Sequence, residues 1–466
     1  MGSFKILSIK YAIAGNLCLD WKSFSALLKV HFQLLGVLLG AFLVALSTGN
    51  YTNWDAQLEF EAASSVVTRG FPFVTTGLMI NQPPLGFYMD APVFHLFGLS
   101  YSNGVALATA FGLGCVVLVY ALGVLLYGRK TGLVAAALFG IVPWHVYMSK
   151  IFLIDNQSLF FSLLFIATAV LAVRKNSQKL IAFAGVFFAV AFMTKLFAVF
   201  MLVPLLLMIF LQRKNHEFKL TFRNMVIFLV PSFVLQAVWF GGFANQNFFG
   251  VYFTSDITHP ELVANPSPLF LPIILVKSAG WFLFAAGFFS LALSVFYKKN
   301  FAKTLWLDVV CVGTIAVVAG LDMLFVFGLH LTVPYVSAFK YNYLALPFYC
   351  LLAASLVAKS GLLISSVDWK NKIHYVKPVL VGVGFLLLLT SIFESTAFLV
   401  KWVGFVAFGV DSVTYYPFDV FAGAQNGFSP LLPHVAVVLM VLSVAGPLLI
   451  GTLKGTFGWL SKVLSS

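Results

Sequence analysis

Residues 180 to 211 form one apolar run interrupted only by Lys195. Drawn as a single α-helix, that run would be about 48 Å long, against a bilayer hydrocarbon core of about 30 Å. Two short spans meeting at Lys195 satisfy both lengths and return the chain to the side it left. Basic clusters punctuate the other apolar stretches in the same way. They are the N-terminal lysines, Arg129/Lys130, Arg174/Lys175/Lys179, Arg213/Lys214/Lys219/Arg223, Lys298/Lys299/Lys303, Lys359/Lys370/Lys372/Lys377 and Lys454/Lys462. If every cluster faces the cytoplasm, an even number of crossings separates each pair. The intervals 131–173, 224–297, 307–358 and 378–452 each accommodate a hairpin. The expected fold class is an all-α polytopic membrane protein of about twelve transmembrane helices with both termini cytoplasmic.

Composition agrees, since 61% of the 466 residues are hydrophobic and only 9% are charged. The net charge of +13 is unevenly placed: 22 of the 28 Lys and Arg fall in the inner clusters, with only Asp20, Glu217, Asp308 and Asp368 beside them. The remaining six cations, Arg69, Lys150, Lys195, Lys277, Lys340 and Lys401, share the outer side with eleven acids. The positive charge therefore sets topology and implies no nucleic-acid partner. The four cysteines suggest no disulfide framework, because Cys115, Cys311 and Cys350 lie within apolar runs and Cys18 precedes the first span. Residues 1–29 read as a cytoplasmic N-terminus before an uncleaved first helix, 30–360 as the main transmembrane module, and 361–466 as a C-terminal transmembrane hairpin.

The long connections, 48–103, 243–270 and 399–430, all fall on the outer side and are rich in aromatic residues and proline. That composition fits segments lying on the membrane surface. In the first of them, WDAQLEFEAASSVVTRG reads as an amphipathic helix with Asp55, Glu59, Ala62, Ala63 and Val66 on one side and Gly70 as its stop. NQPPLGFYMDAP then reads as a kinked, proline-punctuated re-entry. Like charges one turn apart repel, so Asp55 and Glu59 together need a reason. Lys150 and Asp155 sit at the apex of the second outer turn, where the plain alternative is that they pair with each other. Lys195 is a lone cation in an apolar run, which calls for a partner, a job or snorkelling to the interface. Lys340 lies among Tyr335, Phe339, Tyr341 and Tyr343, Lys277 falls about two turns into a span, and Glu394 and Asp322 are further candidates for buried pairs. No Cys/His cluster is present, and Asp55 with Asp155 leaves room for a divalent metal held by carboxylates alone.

Outward carboxylates, outward cations at membrane depth and surface-lying segments suit a lipid-linked anionic substrate. Transfer of a sugar from a polyprenyl phosphate needs cations for the phosphate and a carboxylate to deprotonate the attacking hydroxyl. A base on the face opposite the leaving group gives inversion.

The order of motifs carries a resemblance: an Asp after the first span, PPLGFY, LFG, an outer-turn Asp, Thr194-Lys195, and Lys340-Tyr341 before LALPF. Over residues 30 to 360 it resembles the polyprenyl-phosphate-dependent glycosyltransferases of the protein-mannosyltransferase and aminoarabinose-transferase type, the GT-C fold. FKYNYLALPF looks most like archaeal members, whose carrier would be a dolichyl phosphate. Position by position, the resemblance implies that Asp55 is the catalytic base and that Asp155 holds the second acidic position, near the acceptor or a metal. It implies that Lys195 and Lys340 lie near the lipid phosphate, and Lys277, Gln82 and Arg69 complete the candidate substrate-binding set. The chain departs from the family pattern in three places. It has Asp55-Ala56 for Asp-Glu, which moves the second acidic role to Glu59, Gln82-Pro83-Pro84 for His-Pro before the proline pair, and Lys340-Tyr341 for Arg-Tyr.

The expected partners are a polyprenyl-phosphate sugar donor, a protein, glycan or lipid acceptor, and membrane lipids. A flippase for a lipid-linked sugar is the competing class, and it would line the bilayer midplane with charge rather than the outer side. An oligosaccharyltransferase catalytic subunit would need a WWDYG-like sequence in an outer C-terminal domain, and the chain has neither. Asn50-Tyr51-Thr52 and Asn156-Gln157-Ser158 are outward glycosylation sequons.

Overall fold

The computed structural model describes residues 21–52, 54–74, 82–212, 221–242, 279–323, 342–366, 376–399 and 431–446. These residues are helical, with one isolated parallel bridge between Tyr51 and Ile151 and no strand among them. Helix α1 (Trp21–Ser47) leads to the first long connection, which holds α2 (Trp54–Arg69) and α3 (Leu85–Phe97). Then come α4 (Tyr101–Leu126) and the pair α5 (Arg129–Ile141) and α6 (Pro143–Ser149), bent by 65° where Pro143 cannot continue the hydrogen-bond ladder. Helices α7 (Asp155–Lys175) and α8 (Gln178–Thr194) form a hairpin, and a 3-10 turn (Leu196–Met201) leads into α9 (Leu202–Gln212). Helices α10 (Phe222–Gly242), α11 (Trp281–Phe296), α12 (Lys298–Met323), α13 (Leu346–Ser365), α14 (Val376–Leu399) and α15 (Leu431–Gly446) complete the bundle.

Among the described residues, α4, α7, α13 with its leading turn, and α14 are long and apolar enough to cross a membrane, and the bent α5/α6 pair passes the same test together. Shorter apolar helices include Phe32–Ser47, Gln178–Thr194, Phe222–Val238 and Leu431–Gly446. The chain is a multi-pass membrane protein. The expected count of twelve also draws on 243–278 and 324–341, which lie outside the described residues.

The chain breaks at Lys195, as the length of the 180–211 run requires. Helix α8 stops at Thr194, and Lys195 is extended at φ −152°, ψ 128°. Small residues let the helices approach closely. A Cβ on Gly123 would lie 2.4 Å from the Cα of Gly132, so α4 and α5 touch backbone to backbone.

Helix α2 buries Glu59, Ala62, Ala63 and Val66, four of the five residues its spacing sets on one side, together with Ala56, but the fifth, Asp55 in its first turn, is exposed. Gly70 ends the helix at φ +81°, its N–H donating to the Val66 carbonyl at 3.0 Å. The segment read as a kinked re-entry is instead a 13-residue helix, α3, that tolerates Pro92 inside it. Its start at Leu85 follows Pro84, where a missing N–H costs nothing because the first turn has no acceptor for it.

Two charges assigned to the inner surface are not surface charges. Lys359 is 1% exposed, and its Nζ lies 2.7 Å from Asp308 Oδ2 while donating to the Ser290 carbonyl at 2.8 Å and to Ser290 Oγ at 2.6 Å. Ser294 Oγ and the Tyr127 hydroxyl donate to the Asp308 carboxylate at 2.5 and 3.0 Å. A buried ion pair survives only when its remaining hydrogen-bonding capacity is filled, and this network across α11, α12 and α13 fills it.

Glu394 of α14 is a helix cap. Its carboxylate accepts the N–H groups of Trp281 (2.8 Å) and Phe282 (2.9 Å) at the start of α11. Gly280 precedes them at φ +90°, and a Cβ there would sit 2.9 Å from Glu394 Oε2. Gly280→Ala is therefore expected to cost about 1–3 kcal/mol from backbone strain, plus displacement of the cap. Thermal unfolding of the purified variant in detergent should show a lower Tm; an unchanged Tm would refute this account. Asp322 and Lys277, the other sequence candidates for buried pairs, have no described side chains.

Candidate active site

The turns that precede α2 and α7 are tied together before either carboxylate is reached. Tyr51 N–H donates to the Lys150 carbonyl at 2.8 Å within the parallel bridge to Ile151. The Tyr101 hydroxyl donates to the Tyr51 carbonyl at 2.6 Å and accepts the Phe152 N–H at 3.3 Å. Phe60, Tyr101 and Phe152 seal this junction, with the Phe60 ring centroid 5.6 Å from that of Tyr101 and 5.8 Å from that of Phe152. Asp55 and Asp155 each follow their bridge residue by the same short interval, and each opens a helix.

The hairpin of α7 and α8 decides what surrounds Asp155. Its carboxylate begins α7, and Lys195 follows the last residue of α8, so the antiparallel pair brings both ends to one level. A carboxylate at a helix N-terminus and a cation at a C-terminus each suit the local dipole. Lys195 Nζ lies 2.5 Å from Asp155 Oδ2, with both residues buried. Asp155 thus pairs with Lys195 and not with Lys150, and Lys195 does not snorkel.

Glu59 is 5% exposed and accepts the Ile154 N–H at 2.9 Å, capping the start of α7 one residue before Asp155. It is a strut between α2 and α7, whereas Asp55, a turn earlier on α2, is open to solvent. Next to Asp155, Asn156 is fully buried. Its amide donates to the carbonyls of Met148 (2.8 Å) and Ala108 (3.1 Å), and its Oδ1 accepts the Tyr343 hydroxyl at 2.5 Å. The Tyr343 oxygen also lies 2.7 Å from His145 Nδ1. A side chain so enclosed cannot take a glycan, so the Asn156 sequon is not an acceptor. Asn50 is exposed.

Tyr343 is the last residue of the KYNY stretch, and its hydrogen bond to Asn156 sets it next to the start of α7. Lys340 and Lys277 lie outside the described residues. Gln82 is half-buried, its Oε1 without a partner among the described residues. Arg69 is exposed at the far end of α2, about 21 Å along the helix from Asp55, and the fold does not bring it to the carboxylates. No three His, Cys, Asp or Glu side chains cluster as a metal site among the described residues.

The fold is similar to that of ArnT from Cupriavidus metallidurans. The match to its structure bound to undecaprenyl phosphate has a TM-score of 0.50 at 15% identity, covering 90% of this chain and 78% of that one. The apo state matches with a TM-score of 0.52 at 13% identity, over 91% and 78%. This chain has the GT-C fold. The archaeal oligosaccharyltransferase AglB from Archaeoglobus fulgidus, solved with an inhibitory peptide and a dolichol-phosphate, matches with a TM-score of 0.51 at 12% identity. That match covers 85% of this chain but 56% of AglB. Residues 81–239 match the family model described as dolichyl-phosphate-mannose-protein mannosyltransferase. Comparison with curated protein sequences finds no match.

Within this GT-C bundle, sequence reasoning passed over Asp90. It is fully buried on α3, and Gln157 Nε2 donates to its Oδ1. Its Oδ2 and Gln157 Oε1 have no partner among the described residues. Burial pushes the Asp90 carboxyl well above the ordinary carboxylate range, with the Gln157 hydrogen bond opposing and the Glu59 charge adding to the rise. The only sequence signal was an acid inside an otherwise apolar segment. A raised folded-state pKa means that ionising Asp90 costs stability as pH climbs from the ordinary carboxylate range through the raised value. Asp90→Asn should therefore fold as well as the parent and remove that part of the pH dependence. Thermal unfolding across pH checks this, and a large destabilisation at every pH would refute it.

Proposed function

We propose that the chain transfers a monosaccharide from a polyprenyl phosphate of dolichyl type to a hydroxyl acceptor, with Asp55 as the base. The reading is supported by the family match over 81–239, by the GT-C fold, and by the lipid phosphates bound in the ArnT and AglB structures. The observation that carries it is the junction of the two outer turns. It sets an exposed carboxylate at the head of α2 and a buried Asp155–Lys195 pair at the head of the α7/α8 hairpin.

In this reading Asp55 accepts the proton of the acceptor hydroxyl as its oxygen bonds to the anomeric carbon. The bond from that carbon to the phosphate oxygen breaks, and the phosphate leaves as a stable anion. No general acid is needed, and the sugar carbon inverts. Asp155, held by Lys195 and by the helix start that Glu59 caps, orients the acceptor side. Lys195 and Lys340 supply positive charge for the phosphate, with Gln82 and Lys277 as further contacts. The transferred sugar is a hexose of the mannose type, the site faces outward and both termini face the cytoplasm. The catalytic module spans 30–360.

Purified protein reconstituted with labelled polyprenyl-phosphate mannose and a panel of peptide, glycan and lipid hydroxyl acceptors tests the proposal. The label should leave the lipid and appear on one acceptor class with inverted anomeric configuration. Movement of the labelled lipid across the vesicle without transfer would replace this reading with a flippase.

A further inference from the structure

The far end of the α7/α8 hairpin carries a second feature. A cavity of about 220 Å³ lies between α7, α8, α9 and α10, with walls that are apolar except for Asn224. It exists because the inner wall is built from small side chains, Ala172 and Ala184 among them, both nearly fully buried. Its outer lip is formed by Leu206, Met225 and Leu229, which are exposed on the bundle surface. The void therefore opens sideways from membrane-embedded helices, where the surrounding medium is hydrocarbon.

Cations border this cavity at one end. Val173 lines it, and Arg174 and Lys175 follow directly at the end of α7. Ile181 lines it, two residues after Lys179 at the start of α8. Asn224 lines it and follows Arg223 at the start of α10. All four cations are exposed, and no acid lies in these three turns among the described residues. A basic cluster alone is what topology demands and signals no ligand. An apolar slot running inward from that cluster goes beyond what topology demands.

We propose that this is a binding site for an anionic glycerophospholipid of the bilayer, with one acyl chain in the slot and the phosphate on Arg174, Lys175, Lys179 and Arg223. Basic pockets between membrane helices take anionic head groups for the same electrostatic reason. The polyprenyl-phosphate substrate is the wrong occupant. Arg174 lies at the opposite end of α7 from Asp155, about 28 Å away along the helix axis, so a carrier held here could not present its phosphate to the carboxylates.

Native mass spectrometry of the purified full chain tests this in micelles doped with phosphatidylglycerol or phosphatidylcholine. The wild type should retain phosphatidylglycerol in preference. Each neutralised cation should reduce that preference about fivefold, so Arg174→Gln/Lys175→Gln/Arg223→Gln should lose roughly a hundredfold. Ala184→Leu fills the slot and should lower retention of both lipids, while Arg223→Gln alone serves if the triple variant fails to fold. Equal retention of the two lipids by the wild type, or unchanged retention by Ala184→Leu, would overturn the proposal. Displacement of phosphatidylglycerol by undecaprenyl phosphate at equal concentration would overturn it as well.

Discussion

Asp55→Asn should leave the protein folded and cut sugar transfer by about 10²- to 10⁴-fold, the usual worth of a positioned base. The side chain is exposed in the first turn of α2, so the near-isosteric amide removes no packing. Losing the charge in the first turn of the helix should cost about 0.3–1 kcal/mol, too little to unfold the protein. The amide cannot accept a proton, so the loss should appear in turnover and leave donor binding in place. Glu61→Gln on the same helix provides the control and should transfer at the parent rate. Parent-like turnover by Asp55→Asn would remove the base assignment, whatever the donor.

Lys195→Met should be the most destabilising substitution at the site, at about 3–5 kcal/mol, because it strands the Asp155 carboxylate in a buried position. The cost belongs to the orphaned partner and not to the lysine itself. Asp155→Asn/Lys195→Met should therefore recover most of the lost Tm while remaining inactive, since both proposed functional groups are gone. Thermal unfolding in detergent beside the transfer assay separates the two effects. A single variant as stable as the parent would show that the pair does not form, and an active double variant would remove both residues from the mechanism.

What could be read from the sequence was what local physics decides. Lys195 broke the long run because a bilayer has a fixed thickness, and Gly70 ended α2 because the left-handed region favours glycine. The buried stripe of Glu59, Ala62, Ala63 and Val66 followed from helical spacing. Facts set by distant residues were not legible. Nothing in SKIFLIDNQS says that Asp155 pairs with a lysine forty positions later. Asp308 and Lys359 stood beside basic clusters and were counted as surface charge, although the packing of three helices encloses them. Asp90 was one acid among the eleven expected on the outer side, and its hydrogen-bond partner, Gln157, comes from α7.

The Tyr51–Ile151 bridge also bears on how such a chain can diversify. It works as a datum from which both carboxylates are counted, so their relative placement is set by two short, indexed segments rather than by the long connection that contains one of them. A single inserted residue in 52–54 or 152–154 would rotate one carboxylate about a helix axis by roughly 100°, the angle between successive residues of an α-helix. A few residues beside the bridge should therefore tolerate no change in length.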